Sequence, residues 1–88
     1  MSGFMYNISG NIYTTLAQFT IGDGNPGTPT NGSTTYANPS VEGKTVKVFK
    51  NGVGYLTEGT DFSNSGGIIT LLGGAVFSTG ETYVIFIK

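Results

Sequence analysis

The sequence predicts a small all-β domain, either an antiparallel β-sandwich or a partly open barrel of six to seven strands. Composition is the first reason: Gly, Thr, Ser and Asn make up nearly half of the 88 residues, whereas Ala, Glu and Gln are scarce and Arg is absent. The second reason is that turn residues recur about every 8–12 residues, which is typical of sandwiches and small barrels. We therefore expect essentially no helix and one domain spanning residues 1–88.

The first two strands are predicted from alternating apolar residues. Phe4, Tyr6 and Ile8 alternate with other residues before a turn at 9–11, and residues 12–21 continue as a second strand. The second strand is expected to present one face formed by Leu16, Gln18 and Thr20 and an opposite face formed by Ala17, Phe19 and Ile21.

Residues 22–43 show neither a helical nor a strand period. This segment holds all three prolines and five glycines, and it is long for an irregular connection in a small domain. Two interpretations stay open. The segment is either a surface loop that packs on its own domain, or an arm that reaches onto a neighbouring subunit.

The second half of the chain, residues 44–88, is more regular and hairpin-rich. Residues 44–50 alternate polar and apolar side chains, Asn51-Gly52 is a strong hairpin signal, and residues 53–56 are predicted to return as a strand. Further turns at 57–60, 64–67, 73–74 and 78–80 separate strands that begin at 61, 68 and 81.

The last predicted strand is apolar on both faces. Tyr83, Ile85 and Ile87 share one face, and Val84 and Phe86 share the other. Either this is a central strand buried on both sides, or one face contacts another chain, and the two interpretations are compatible. As candidate subunit-interface residues we select Tyr36, Pro39, Val84 and Phe86.

Composition also excludes several kinds of function. The chain has no Cys and no His, so disulfides, thiolate metal sites and the usual zinc and haem ligand sets are excluded, and we expect no metal and no cofactor. A net charge of −1 without Arg argues against nucleic-acid binding. No apolar run approaches the roughly 20 residues of a membrane span. The N-terminus lacks a signal-peptide pattern, so we expect a complete, unprocessed cytoplasmic product.

The acidic residues are expected to stabilise turns. Glu58 and Asp61 lie three residues apart at a turn, where we expect Asp61 to bind the turn backbone and Glu58 to be solvated. Asp23 and Asn25 match positions 1 and 3 of a calcium loop, but the rest of that pattern fails and a turn is favoured. Without His, no hydroxyl nucleophile has its usual base, so we expect no catalytic residues and no enzyme.

Aromatic residues raise the possibility of glycan or peptide binding. Three tyrosines, Tyr13, Tyr36 and Tyr55, are the ones we expect to be exposed. Most other aromatics follow strand alternation and are expected in the core or in a subunit contact. These are Phe4, Tyr6, Phe19, Phe49, Phe62, Tyr83 and Phe86.

Four segments of residues 44–88 resemble a module of bacteriophage virion proteins. They are Val-Phe-Lys-Asn-Gly-Val at 48–53, Gly-Thr-Asp-Phe at 59–62, Ile-Ile-Thr-Leu at 68–71 and Gly-Glu-Thr-Tyr-Val at 80–84. The pattern is similar to a β-sandwich subdomain of tail-fibre, head-fibre and capsid-associated proteins. Phe62 stands where Tyr is common, and Glu81 where Asp is common. The first half also resembles small phage or prophage proteins of gut Bacteroidetes.

The resemblance implies a non-enzymatic virion protein, most simply a capsid auxiliary or decoration protein that stabilises the shell. Its implied partners are the major capsid protein or neighbouring copies of itself, in a multi-copy assembly formed in the bacterial host cytoplasm, with no nucleic acid and no membrane involved. Two alternatives stay open. One is a fibre, collar or tail component of the virion, and the other is a glycan-binding adhesin module.

Overall fold

The computed structural model describes residues 5–8 and 10–88, and before residue 10 it describes the side chains of Asn7 and Ile8 only. The predicted strand residue Phe4 and the turn residue Ser9 lie outside this part. Eight strands and one 3-10 helix are found in the described residues. They are β1 (Met5–Ile8), β2 (Asn11–Thr20), β3 (Thr35–Ala37), the 3-10 helix (Pro39–Val41), β4 (Val46–Lys50), β5 (Gly54–Tyr55), β6 (Phe62–Ser65), β7 (Ile68–Leu71) and β8 (Thr82–Ile87).

The strands form two antiparallel sheets, so the predicted all-β class is confirmed. A curled five-stranded sheet has the order β1-β2-β8-β4-β5, and a three-stranded sheet has the order β3-β7-β6. We call the side of the five-stranded sheet that faces the small sheet its inner face, and the opposite side its outer face. β8 is the central strand of the larger sheet, because it pairs with β2 on one side and β4 on the other.

The main core fills the space between the two sheets and contains residues from both. Its buried members are Phe19, Ile21, Tyr36, Val41, Val46, Val48, Phe62, Ile69, Leu71, Phe77, Tyr83 and Ile85. Aromatic rings dominate the centre: the ring centroids of Phe77 and Tyr83 are 4.9 Å apart, and those of Phe19 and Tyr83 are 5.8 Å apart. These rings supply much of the apolar area that so short a chain buries.

A β-bulge in β2 changes which residues face the core. Thr15 pairs with Phe86 and Ala17 pairs with Ile85, so Leu16 is the extra residue between them. A bulge inserts one unpaired residue, and a shift of one residue exchanges the two faces of a strand. The predicted second strand is therefore confirmed, but its two faces do not continue unchanged along its length.

The consequence is visible at two odd-numbered aromatic positions of β2. Phe19, after the bulge, lies in the main core. Tyr13, before the bulge, lies with Ile8 and Phe86 in a second cluster on the outer face. Strict alternation would have placed both rings on the same face.

Residues 22–43 are more ordered than the sequence predicted. β3 pairs with β7, with Tyr36 opposite Ile69, and the 3-10 helix follows. Asn38 caps this helix by accepting a hydrogen bond from the Ser40 N–H. Tyr36 and Val41 are buried in the main core. Residues 22–34 contain no helix or strand, as predicted, whereas the unpredicted strand at 35–37 raises the count from six or seven to eight.

Part of this segment folds onto its own domain and supplies Tyr36 and Val41 to the core. The segment is also tied to β6, because the side-chain amide of Asn64 donates to the carbonyls of Val41 and of the following Lys44, at 3.4 and 3.2 Å. Contact of the segment with a neighbouring subunit stays a prediction.

The predicted hairpin at Asn51-Gly52 and the predicted turn at 64–67 are both present. Lys50 pairs with Gly54 and the Val53 N–H donates to the Lys50 carbonyl, so Asn51-Gly52 lies in a three-residue turn that includes Val53. The β6–β7 hairpin turns at Gly66-Gly67, whose φ angles of 61° and 79° suit a tight two-residue turn that glycine adopts without strain.

Candidate functional site

One polar network lies at the rim of the inner face. The Lys50 ammonium is 2.9 Å from Glu81 Oε2, while the Tyr83 hydroxyl and the Ser78 N–H both donate to Glu81 Oε1, at 2.8 and 2.9 Å. The Lys50 Nζ atom also lies 5.8 Å from the centre of the Tyr83 ring. β4 positions the lysine and β8 positions the tyrosine, because the two residues are cross-strand partners.

The protonation states of this network do not suit proton transfer near neutral pH. Burial disfavours the charged form of Glu81, but the hydrogen bonds from Lys50, Ser78 and Tyr83 outweigh it and hold the pKa of this carboxyl below its ordinary value. Burial, and then the neighbouring carboxylate, raise the pKa of the Tyr83 phenol well above its ordinary value. The carboxylate stays ionised and the phenol stays protonated. In these states the phenol can donate to the carboxylate and the ammonium can pair with it, so the network is structural and lies at the edge of the core.

Two further carboxylates stabilise turns. The Asp61 carboxylate accepts a hydrogen bond from the Thr57 N–H at 2.8 Å, which confirms the predicted turn role, and Glu58 is exposed as predicted. Asp23 Oδ1 accepts from the Asn25 N–H at 2.8 Å, and its Oδ2 accepts from Thr20 and Thr28. These bonds lower the pKa of Asp23, with the Asn25 N–H as the largest cause.

The Asp23 turn therefore offers little to a metal ion. Both carboxylate oxygens already accept hydrogen bonds from the turn, as the favoured interpretation predicted. Within residues 5–8 and 10–88, no group of three or more acidic, His or Cys side chains comes close enough together to hold a metal ion.

The outer face carries the second apolar surface of the molecule. We define the outer-face patch as Phe49, Tyr55, Val84 and Phe86. Its cross-strand pairs are Phe49 with Val84 and Phe49 with Tyr55, so the side chains share one face. The Tyr55 ring centre lies 5.2 Å from that of Phe49 and 6.2 Å from that of Phe86.

Exposure within the outer-face patch increases toward β5. Phe86 is only 5% exposed, Phe49 and Val84 are half-buried, and Tyr55 is 50% exposed. Val53, in the adjoining turn, is 68% exposed. The patch thus has a closed side at β8 and an open apolar side at the β4–β5 hairpin.

The four predicted interface residues fall in different places. Val84 and Phe86 belong to the outer-face patch, and the structure brings them together as the strand pattern predicted. Pro39 is exposed at the start of the 3-10 helix. Tyr36 is buried in the main core, where its ring centre lies 4.8 Å from that of Phe19. The four residues do not form one surface.

The prediction that Tyr13, Tyr36 and Tyr55 are exposed was wrong for two of the three. Tyr13 is 3% and Tyr36 is 6% exposed. The bulge turns Tyr13 into the outer-face cluster, and pairing of β3 with β7 turns Tyr36 inward. Among the tyrosines whose side chains are described, Tyr55 alone is exposed.

Sequence reasoning missed the Lys50–Glu81–Tyr83 network. Lys50 and Glu81 are far apart in sequence, and only the register of β4 against β8 brings them together. The alternation of both strands could have indicated that these side chains lie at the edge of the core. Lys50 follows the buried Val46 and Val48 on one face of β4, and Tyr83 precedes the buried Ile85 on one face of β8. Thr15 was also missed: its hydroxyl is buried on the outer side of β2 without a hydrogen-bond partner.

Comparisons with protein families, with characterised proteins and with solved structures find no match for this chain. None of the described segments forms a helix long and apolar enough to cross a membrane. The fold and the surfaces described above are therefore the basis on which function is inferred.

Proposed function

We propose that this domain is a non-enzymatic building block of a bacteriophage virion, acting as a capsid auxiliary or decoration protein that stabilises the shell through subunit contacts. The outer-face patch is the observation that carries the proposal. It combines a half-exposed aromatic ring with neighbouring half-buried apolar side chains on a weakly charged domain. Apolar surface of this kind is characteristic of contacts between proteins.

The position of the patch supports the same function. Phe49 lies within residues 48–53, one of the four segments resembling virion proteins, and Tyr55 is its cross-strand partner just after that segment. A ring exposed beside a rigid sheet offers contact area at little cost in side-chain entropy. The short, two-residue edge strand β5 limits random pairing through its backbone, so contact through side chains is favoured.

The test is the protein composition of purified particles from the phage or prophage host that encodes the chain. We expect quantitative mass spectrometry to find the chain at a copy number comparable to that of the major capsid protein, and imaging to place it on the shell. Its absence from intact particles would overturn the proposal.

The same measurement separates the fibre, collar or tail alternative. Those structures contain far fewer copies than a shell, so a low ratio to the capsid protein together with density at the tail would favour that alternative. The adhesin alternative required several exposed tyrosines around one cleft. Of the three candidates, Tyr13 and Tyr36 are buried and Tyr55 is exposed. Binding to a glycan array that Tyr55→Ala abolishes would favour the adhesin.

A further inference from the structure

Two Asn-Gly dipeptides of the chain, Asn31-Gly32 and Asn51-Gly52, lie in turns and are held very differently. An asparagine that precedes glycine is prone to spontaneous loss of its side-chain amide, because glycine has no side chain to hinder attack by its backbone nitrogen. Both dipeptides are exposed, so access to water does not distinguish them. Their hydrogen bonds do distinguish them.

At Asn31-Gly32, both groups that would react are hydrogen-bonded. The Gly32 N–H donates to the Phe77 carbonyl at 2.7 Å, so the attacking nitrogen is engaged in a short hydrogen bond. The Asn31 Oδ1 atom accepts from the Thr79 N–H at 2.9 Å, which holds the side-chain amide in place. Both partners lie more than forty residues further along the chain, so this restraint exists only in the folded protein.

Asn51-Gly52 lacks both restraints. Among the described residues, no hydrogen bond engages the Gly52 N–H or the Asn51 side chain. The turn is closed by other groups: the Asn51 N–H donates to the Thr82 carbonyl at 2.9 Å, and the Val53 N–H donates to the Lys50 carbonyl at 3.0 Å. A Cβ atom on Gly52 would meet no atom within 4 Å, so the space beside this residue is open.

Three other asparagines precede a small residue or proline, and each is restrained in another way. Asn64 precedes Ser65, but its side-chain amide donates to two backbone carbonyls at 3.4 and 3.2 Å, and both residues pair with β7. Asn25 and Asn38 precede proline, whose nitrogen carries no proton to lose. Asn51 therefore differs from these three and from Asn31 in combining a glycine neighbour with a free side-chain amide.

We propose that Asn51 is a site of spontaneous modification, at which the side-chain amide is lost and the residue becomes aspartate or isoaspartate. The Gly52 nitrogen gives its proton to hydroxide and bonds to Asn51 Cγ, while the Cγ–Nδ2 bond breaks and the leaving nitrogen takes a proton from water and departs as ammonia. Water then opens the succinimide ring. Cleavage between the Gly52 nitrogen and Cγ gives aspartate, and cleavage at the backbone carbonyl carbon gives isoaspartate. One water is consumed and one ammonia is released.

The conversion changes the hairpin that carries the exposed side of the outer-face patch. A carboxylate replaces a neutral amide, so the formal net charge of −1 becomes one unit more negative. In isoaspartate the main chain also runs through the former side chain, which adds one carbon atom to the three-residue turn between the paired Lys50 and Gly54. The exposed Val53 and Tyr55 lie in and next to this turn. An effect on particle binding rests on the proposed function, whereas the conversion itself does not.

The first test compares the two Asn-Gly sites within the same molecules. Folded protein is incubated at neutral and mildly alkaline pH, and peptide mapping by mass spectrometry follows the one-dalton gain at each site. We expect Asn51 to convert at least about tenfold faster than Asn31, because two hydrogen bonds must open before Asn31 can react. The rate at Asn51 should rise with pH, since the deprotonated nitrogen is the nucleophile. No conversion at Asn51, or equal rates at the two sites, would overturn the proposal.

Unfolded protein is the control for local sequence. In concentrated urea the hydrogen bonds at Asn31-Gly32 are lost and both asparagines still precede glycine, so we expect the two rates to converge. A difference of the same size in urea would mean that neighbouring residues select Asn51, and would refute the role given to the fold. The products test the route: both aspartate and isoaspartate are expected, because the ring opens at two bonds. Aspartate alone would indicate direct hydrolysis and contradict the cyclic step.

A matched pair of variants tests the effect on the hairpin. Asn51→Gln keeps a neutral amide but requires a six-membered ring, so we expect no conversion at this position, whereas Asn31→Gln should leave conversion of Asn51 unchanged. After conversion, the amides of Val53 and Leu56, which donate to carbonyls of β4, should exchange with solvent hydrogen faster than before. Incubated Asn51→Gln protein should show no such change. Unchanged exchange in fully converted wild-type protein would refute the effect on the hairpin.

Discussion

The two faces of β8 are built from similar residues but are closed to different degrees. On the inner face, Tyr83 and Ile85 are almost completely buried between the two sheets. On the outer face, Phe86 is nearly buried, but Val84 is only half-buried and borders the exposed Tyr55 ring. An apolar strand pattern alone therefore does not reveal which face of the strand is fully buried within the domain.

The difference arises from what lies opposite each face. A second sheet covers the inner face, and the network of Lys50, Glu81 and Tyr83 closes its rim with hydrogen bonds. On the outer face, each side chain is shielded from solvent only by its cross-strand neighbours, and the exposed fraction of the side chains increases from β8 toward the β4–β5 hairpin. Stability should therefore depend mainly on the inner face, and association on the outer face.

The largest expected effect contrasts charge on the two faces. Ile85→Lys places an unpaired ammonium in the main core, which costs several kcal/mol in a domain with about 5–15 kcal/mol in total, so we expect an unfolded protein. Val84→Lys should fold, because a half-buried lysine can extend its charged end to solvent. Circular dichroism and sedimentation check both. Unfolding of Val84→Lys as well would mean that the two faces are equally closed.

The next effect concerns the rim of the inner face. Tyr83→Phe removes the hydroxyl that donates to Glu81, and we expect a loss of about 1–2 kcal/mol, since hydrogen bonds to charged groups are the stronger ones and Glu81 is partly exposed. Tyr55→Phe makes the same change on the outer face and should leave stability unchanged. Urea unfolding measures both variants. Equal losses would contradict the contrast between the faces.

The same network predicts a pH dependence. The pKa of Glu81 is lower in the folded protein than its unfolded value of about 4.3, so its contribution is complete above that value and is lost as pH falls through the folded pKa. The lowered pKa of Asp23 acts in the same direction. We expect unfolding midpoints to fall in acid, and Glu81→Gln to make that fall shallower. Glu58→Gln, which removes an exposed carboxylate, is the control and should keep the wild-type slope.

The smallest expected effect on stability lies on the outer face. Tyr55→Ala removes ring contacts with Phe49 and Phe86, and we expect a loss of about 1 kcal/mol. Binding to particles that lack the protein should fall much more strongly, as measured by co-sedimentation. Ile12→Ala truncates an equally exposed side chain away from the patch and should bind normally. Normal particle binding by Tyr55→Ala would show that the outer-face patch does not form the proposed contact.

Much of the second half was predictable from sequence because its signals are local. Asn51-Gly52 and Gly66-Gly67 are turn dipeptides whose geometry depends on a few residues, and both hairpins form where predicted. The turn role of Asp61 is equally local, because its carboxylate bonds an amide four residues away. The candidate patch was found in part, through Val84 and Phe86, since strand alternation places them on one face.

The first half was less predictable because its structure depends on distant partners. β3 has three residues, too few to show a period, and it exists because β7 offers an edge to pair with. The prediction that Tyr13 and Tyr36 are exposed was wrong for related reasons, since a bulge and a sheet pairing decide where each ring points. Neither feature leaves a pattern in a single sequence.

The amino-acid sequence by itself determined the all-β class, the hairpins and the apolar character of both faces of β8, because composition, turn chemistry and alternation act over a few neighbouring residues. Only the tertiary structure decided which face is closed and how residues 35–41 pack against the core. Those properties follow from pairing between segments far apart in the chain, and the free energy of such pairing depends on partners that local sequence does not specify.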